Sequence, residues 1–212
     1  MFYDVTKRII DIVGAILGII IFFPICILTI IAIELDSPGP IFADTPKRVG
    51  KNGKQFKFFK FRSMIPNAHQ LLLTDPRFKK LLEEYKKSSY KLHNDPRITR
   101  VGRFIRKHSI DEIPQFLNVL KGEMSLVGPR AYYPFELEEQ QKKFPHTKKL
   151  VKEVLKVKPG ITGPWQVSGR SEISFEKRIQ MDAEYARKRS ILYDLKIILQ
   201  TPIVMITGKG AI

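Results

Sequence analysis

"DIVGAILGIIIFFPICILTIIAI", residues 11–33, decides the fold, because after Asp11 no charged side chain interrupts residues 12–33. Roughly 20 consecutive apolar residues are enough to cross a bilayer core, so this segment enters a membrane. A cleaved signal peptide is the competing reading. Its apolar region would be roughly 7–15 residues followed by a small-residue cleavage site, and the "ELDSPGP" that follows here is a poor one. Pro24 lies mid-run, where it removes a backbone hydrogen bond and clashes with the preceding turn, so a kink after Phe23 is expected. Two topologies stay open. The segment is either a straight span, since transmembrane helices tolerate proline, or a sharper bend that returns both ends to the side of entry.

Outward from this segment the chain is strongly basic. Among 212 residues the formal charge is +16, and residues 34–212 carry all of it. That part is expected on the cytoplasmic side by the positive-inside tendency. The charge demands an anionic partner: nucleic acid, the anionic face of a membrane, or a phosphorylated substrate. The single cysteine, Cys26, sits inside the apolar run, which excludes an intramolecular disulfide and a thiolate zinc cluster.

Residues 47–62 contain seven Lys or Arg and no acid, and the Asn52-Gly53 pair between Phe-rich arms predicts a β-hairpin. The basic strand reads as a solvated edge or as a holder of headgroups or a ligand phosphate. Asp75 as cap and Pro76 at the first helical position predict an amphipathic helix with Phe78, Leu81, Leu82 and Tyr85 on one stripe. Arg97, Arg100, Arg103 and Arg106 recur every three residues, a set suited to forked phosphate contacts if helical. Charged helical stretches follow around residues 136–156 and near "FEKRIQMDAEYARKRS". The apolar tail from Tyr193 is broken at Pro202 and fits core packing or shallow interfacial lodging.

The stretch "KHSIDEIPQFLNVLKGEMSLVGPR", residues 107–130, places Asp111 and Glu112 side by side in this basic chain. Ser109 and Glu112 match a capping box, which alone accounts for the pair as a helix start near Ile110. The functional reading uses the same place. A helix start binds phosphate oxygens through free amides, nearby Arg106 favours an ionised aspartate, and a carboxylate can attack phosphorus. The charge of the phosphate would be neutralised by arginine and by Mg²⁺, which prefers oxygen ligands.

"SPGPIF" (37–42), "RVGKNGKQFKFFKFRSM" (48–64), "DPRITRVGRFIRKHSIDEIPQFLNVLKGEMSLVGPR" (95–130), "VKPGITGPWQVSGR" (157–170) and the terminal Asp182, Tyr185, Ser190, "YDLKII" pattern resemble the bacterial polyprenol-phosphate phosphoglycosyl transferases, over nearly the whole chain and in order. The chain resembles their minimal catalytic form. The resemblance implies a membrane enzyme that moves a sugar 1-phosphate from a UDP-sugar to undecaprenyl phosphate through a covalent phosphosugar on the aspartate of an Asp-Glu dyad, with Mg²⁺. It maps the dyad, as catalytic and metal-binding residues, onto Asp111 and Glu112. Substrate and phosphate binding falls on Lys60, Arg62, Arg106, Pro129, Arg130, Asp182 and Asp194. The implied fold is α+β, mainly α. Residues 1–35 form a re-entrant membrane helix broken at Phe23-Pro24, and residues 36–212 form a catalytic domain with a small β-hairpin and amphipathic, interfacial helices, on the cytoplasmic face of the bacterial inner membrane.

Expected partners are the UDP-sugar, undecaprenyl phosphate and membrane lipids, with a homodimer considered and no nucleic acid. Ala131 after Gly-Pro-Arg, Asp44 and Pro164 depart from the family pattern. The "WQVSGRS" and "GKGAI" stretches resemble the hexose-1-phosphate branch, pointing to galactose or glucose. The alternative function is a membrane-tethered basic module that binds nucleic acid or anionic lipid without turnover.

Overall fold

A computed structural model describes residues 2–87, 92, 94–208 and 210. Most of the closing "GKGAI" and most of the "SSYKL" that closes the stretch read as a helix after Pro76 lie outside the described residues. In chain order the elements are α1 (Phe2–Asp36), β1 (Arg48–Val49), β2 (Gln55–Phe56), α2 (Ala68–Thr74), α3 (Lys79–Lys87), α4 (Arg100–Lys107), α5 (Gln115–Leu120), β3 (Ser125–Val127), α6 (Pro134–Lys143), α7 (Lys148–Val154), β4 (Gly160–Thr162), α8 (Pro164–Ser168), α9 (Phe175–Lys188) and α10 (Ile191–Thr207). The architecture is α+β and mainly α, as expected.

The hairpin forms where the turn signal puts it. β1 and β2 pair antiparallel, Arg48 opposite Phe56, and both turn residues adopt positive φ, Asn52 at 57° and Gly53 at 77°. Those are the residue types that tolerate the left-handed region. Asp75 also caps as expected, accepting from the Arg77 amide at 2.9 Å. A second pair was not foreseen: β3 and β4 run parallel, Ser125 opposite Gly160 and Val127 opposite Thr162. Three-residue strands separated by α6 and α7 leave no periodicity to read.

α1 differs from expectation at Pro24. The helix is not broken at Phe23-Pro24 but runs continuously to Asp36. Packing on both sides of the proline holds it: Phe22 stacks on Phe116 at 6.2 Å, while Cys26, Ile30 and Ile33 pack against Phe61 and Ile105. The same holds for α10, which continues through Pro202 instead of ending there.

Tyr3–Asp36 is long and apolar enough to cross a membrane. One face nevertheless docks on the domain along its whole length. Arg8 donates to the Val119 and Leu120 carbonyls at 2.7 and 2.9 Å, and Asp11 accepts from the Ser125 hydroxyl and the Leu126 amide at 2.9 and 3.0 Å. At the other end Asp36 accepts from the Val101 amide at 3.2 Å. Arg62 donates to the carbonyls of Ser37 and Pro38 at 2.6 and 2.7 Å. Both ends of the apolar helix are thus fastened to the same body. The opposite face leaves Val5, Ile9, Val13, Ile20, Ile21, Leu28 and Leu35 exposed, and Leu192, Leu195, Leu199, Ile203 and Ile206 form a second exposed apolar stripe on α10.

Close approach of α1 needs Gly14 and Gly18. A Cβ on Gly14 would lie 2.5 Å from a Leu126 methyl, and one on Gly18 2.5 Å from the Phe116 ring. Gly18→Leu is therefore expected to lower stability by about 1–3 kcal/mol through overpacking. Thermal unfolding in detergent checks this, and an unchanged midpoint would show that α1 is not seated on Phe116.

Candidate active site

The extended segment that follows β2 carries the first half of the site. The Phe59 amide donates to Asn118 Oδ1 at 3.0 Å, and the Asn118 side-chain amide donates to the Lys57 carbonyl at 2.7 Å. The Phe61 amide donates to the Asp111 carbonyl at 2.9 Å. Alternation along this segment sends Phe61 into the core beside Ile33 and Ile105, and it turns Lys60 toward the acidic pair.

The second half is the turn between α4 and α5. Thr99 caps α4 by accepting from the Gly102 amide at 2.9 Å. The turn differs from the capping box read in the sequence. Ser109 stands at φ 56° with no capping side-chain bond, Ile110–Glu112 is a single 3-10 turn, and the α-helix starts only at Gln115. The Ser109 hydroxyl instead accepts from Arg170, which leaves the Glu112 carboxylate free of a capping task.

Asp111 is 1% exposed, and Lys60 Nζ lies 2.7 Å from its Oδ2 and 3.6 Å from Glu112 Oε1. Burial raises the Asp111 carboxyl above its ordinary range, with Lys60 and Arg106 opposing and Glu112 reinforcing the rise. Burial also pushes Glu112 upward, but Lys60, Arg130 and Arg170 outweigh it and hold the group below its ordinary value. The dyad is split into one carboxylate hard to ionise and one easy to ionise. The two are adjacent but differently surrounded.

The cleft over this pair is lined by Lys60, Arg62, Arg106, Asp111, Glu112 and Arg130 among the residues singled out in the sequence. Arg62 is 4% exposed, and its guanidinium is engaged by the carbonyls that end α1. Pro129 is buried, and its carbonyl accepts from the Gly160 amide at 2.9 Å. Arg97 lies outside α4 and forms a buried pair with Asp95 at 2.6 Å, so the four arginines at intervals of three do not share one helix.

Asp182 and Asp194 are not among the residues lining the cleft. Asp182 accepts from the Arg130 amide at 3.0 Å and the Tyr132 hydroxyl at 2.8 Å, and so fixes the Gly-Pro-Arg loop from beneath. Asp194 joins α10 to the foot of α1, accepting from Tyr185 at 2.6 Å and Tyr3 at 3.2 Å and pairing with Lys7 at 3.0 Å. Sequence reasoning passed over Arg48 and Arg170, both of which line the cleft. The local signals were there, a basic hairpin and a terminal arginine in "VSGR".

Among the described residues no group of three or more His, Cys, Asp or Glu is placed to hold a metal. The two neighbouring carboxylates, Asp111 and Glu112, are oxygen donors of the type Mg²⁺ takes, with the Lys60 ammonium standing at 2.7 and 3.6 Å from them. That ion is held by one or two carboxylates plus substrate phosphate oxygens.

A family model described as bacterial sugar transferase matches residues 2–208. The chain belongs to this family. Three relatives of this bacterial sugar transferase place it further. "Galactosyl transferase CpsE" of Streptococcus agalactiae serotype III (strain NEM316) is 44% identical over 98% of the chain and 43% of the relative. "UDP-glucose:undecaprenyl-phosphate glucose-1-phosphate transferase" of Escherichia coli (strain K12) is 39% identical over 97% of the chain and 41% of the relative. "Exopolysaccharide production protein ExoY" of Sinorhizobium fredii (strain NBRC 101917 / NGR234) is 36% identical over 98% of the chain and 88% of the relative. This family member thus spans less than half the length of the first two and most of the third.

Asp182 gives a stability test. Burial raises its carboxyl to about 6, against the hydrogen bonds from Arg130 and Tyr132. The folded pKa exceeds the unfolded one, so the stabilisation is complete below about 3.9 and is lost as pH rises through 6, at a cost on the order of 3 kcal/mol. Asp182→Asn is expected to flatten this fall. Equal pH dependence of the unfolding midpoint in both proteins between pH 4 and 7 would refute the assignment.

Proposed function

We propose that this chain transfers a sugar 1-phosphate from a UDP-sugar to undecaprenyl phosphate and releases UMP, through a covalent intermediate on Asp111. The observation that carries the proposal is a buried carboxylate held 2.7 Å from Lys60 in a cation-lined cleft, beside a membrane-seeking helix. The names of the relatives support a UDP-sugar donor and a polyprenyl phosphate acceptor, and galactose or glucose as the sugar.

In the first step the Asp111 carboxylate attacks the sugar-bearing phosphorus. A new P–O bond forms, and the bond to the nucleotide phosphate breaks with its electron pair, giving UMP. In the second step an oxygen of undecaprenyl phosphate attacks the same phosphorus, and the Asp111 carboxylate is restored. Lys60 and Arg106 favour the ionised Asp111 against the burial that opposes it. Lys60 and Arg130 supply positive charge for the phosphate oxygens as negative charge shifts between them. Asp111 and Glu112 would hold Mg²⁺, which when bound neutralises diphosphate charge.

Although α1 is one helical run through Pro24, the fastening of both its ends to one body favours a re-entrant topology in the bacterial inner membrane, and the basic excess downstream favours the cytoplasmic face for residues 36–212. A crossing helix would put its ends on opposite sides of a core about 30 Å thick.

A panel of UDP-sugars led by UDP-galactose and UDP-glucose, with undecaprenyl phosphate and Mg²⁺, is expected to yield UMP from at least one donor. Release from none would reject the reaction. Asp111→Asn is expected to lose on the order of 10³-fold or more in turnover and to form no sugar-phosphate adduct by mass spectrometry. Normal turnover by this variant would remove Asp111 as nucleophile.

The pH profile follows from the raised Asp111 carboxyl. The nucleophile acts ionised, so adduct formation rises as pH climbs through that raised pKa. Lys60→Ala removes the nearest opposing charge and is expected to displace this acidic limb to higher pH as well as slow the step. An acidic limb unmoved in the variant would show that Lys60 does not govern Asp111.

A further inference from the structure

Glu112 stands next to the proposed nucleophile, yet little holds its carboxylate in place. Ser109 makes no capping bond there, and Lys60 lies 3.6 Å from Glu112 Oε1 while it bonds Asp111 at 2.7 Å. A cation at 3.6 Å attracts a carboxylate without orienting it. The Glu112 side chain is 37% exposed, against 2% for Asp111.

Gln115 has the opposite deficit. It is 1% exposed and lines the same cleft. Its Nε2 is buried without a hydrogen-bond partner, and among the described residues it is the one buried side-chain amide nitrogen in that state. Asn118, one turn further on, shows the ordinary case: its Nδ2 donates to the Lys57 carbonyl and to Glu123 Oε2 at 2.7 and 2.6 Å. A buried donor left unpaired is costly, and the cost is removed when an acceptor meets it.

The backbone puts these two side chains on one face. Through the turn, the amides of Glu112, Ile113, Phe116 and Leu117 bond the carbonyls of Ser109, Ile110, Ile113 and Pro114, three residues back in each case, at 3.0–3.2 Å. At three residues per turn, side chains at i and i+3 eclipse. Ser109, Glu112 and Gln115 accordingly all line the cleft. The Ser109 hydroxyl is taken by Arg170, which leaves Glu112 as the acceptor beside Gln115. The influence is already felt: burial pushes the Glu112 carboxyl up, and after Lys60, Arg130 and Arg170 the Gln115 side chain helps to bring it down.

An amide suits this place better than another cation. A neutral donor fixes a carboxylate without cancelling its charge, so the oxygen left free remains a full ligand. Mg²⁺ demands near-octahedral geometry, which a swinging carboxylate does not supply. Carboxylates that ligate metals are themselves hydrogen-bonded for this reason.

We propose that Gln115 is a positioning residue: its side-chain amide donates to one Glu112 oxygen and so presents the other to Mg²⁺. This role rests on the transfer reaction set out above, with the dyad as the Mg²⁺ site.

Gln115→Met keeps the buried volume and removes the donor. UDP is titrated calorimetrically into the wild-type chain and the variant, each with and without Mg²⁺. The wild-type chain is expected to bind UDP more tightly with the ion. The variant is expected to match it without the ion and to bind about tenfold more weakly with it, the scale at which outer partners of metal ligands act. Equal Mg²⁺ enhancement in both proteins, equal weakening with and without the ion, or no enhancement in the wild type overturns the role. Adduct formation gives a second reading. Gln115→Met is expected to slow it about tenfold when Glu112 is present and to add nothing in a Glu112→Gln background, and additive losses overturn the route through Glu112. Should Gln115→Met not fold, Gln115→Asn takes its place, keeping the amide but withdrawing it by one methylene, and the same outcomes decide. No UMP from the wild-type chain with any donor would instead reject the transfer reaction, a failure read before any variant is made.

Discussion

The Lys60 ammonium lies 2.7 Å from a carboxylate that is almost wholly buried, and most of the fold can be read as what is needed to keep that pair in place. An ionised aspartate at this depth is costly without a partner, and a lysine on an unpaired extended segment would wander. The segment is fixed by Asn118, which substitutes for a neighbouring strand, and by the bond from the Phe61 amide to the Asp111 carbonyl. Strand and turn therefore position each other, and the side chains meet as a consequence. The surrounding arginines then divide the dyad, so that Asp111 is raised and Glu112 lowered although they are neighbours in sequence.

The membrane helix is joined to this arrangement by polar bonds at both ends and small residues in the middle. Arg8 and Asp11 hold its start to α5 and β3, and Arg62 and Asp36 hold its finish. Arg62 lies two residues from Lys60, so the segment that carries Lys60 also latches the apolar helix. α1 and α10 each leave an apolar face exposed, and neither helix lines the cleft.

Much of this was legible in the chain. The apolar run, the Asn52-Gly53 hairpin and the Asp75 cap are local signals, and each appears where its chemistry places it. Pro24 and Pro202 do not end their helices, and around Pro24 the flanking Phe22 and Cys26 are packed on Phe116 and on the Phe61–Ile105 cluster. Ser109-Ile-Asp-Glu112 also misled. The motif describes an isolated helix start, and here Arg170, 61 residues away, claims the serine hydroxyl. Asp182 and Asp194 were grouped with the cleft, yet the cavity is not lined by them. One supports the Arg130 loop and the other the foot of α1.

The sequence by itself determined that one segment seeks the membrane, that the remainder carries +16, and that an acidic pair stands among the basic side chains. Composition, turn chemistry and the resemblance carried by "KHSIDEIPQ" are properties of short stretches and survive without a fold. Only the tertiary structure decided what each arginine faces. Arg178 pairs with Glu136, 42 residues away, and Arg62 meets the Pro38 and Ser37 carbonyls, 24 and 25 residues away, whereas Arg97 finds Asp95 within its own turn. Arg62 and Arg178 look like Arg97 in the chain, but their partners are brought by packing, which no local pattern records.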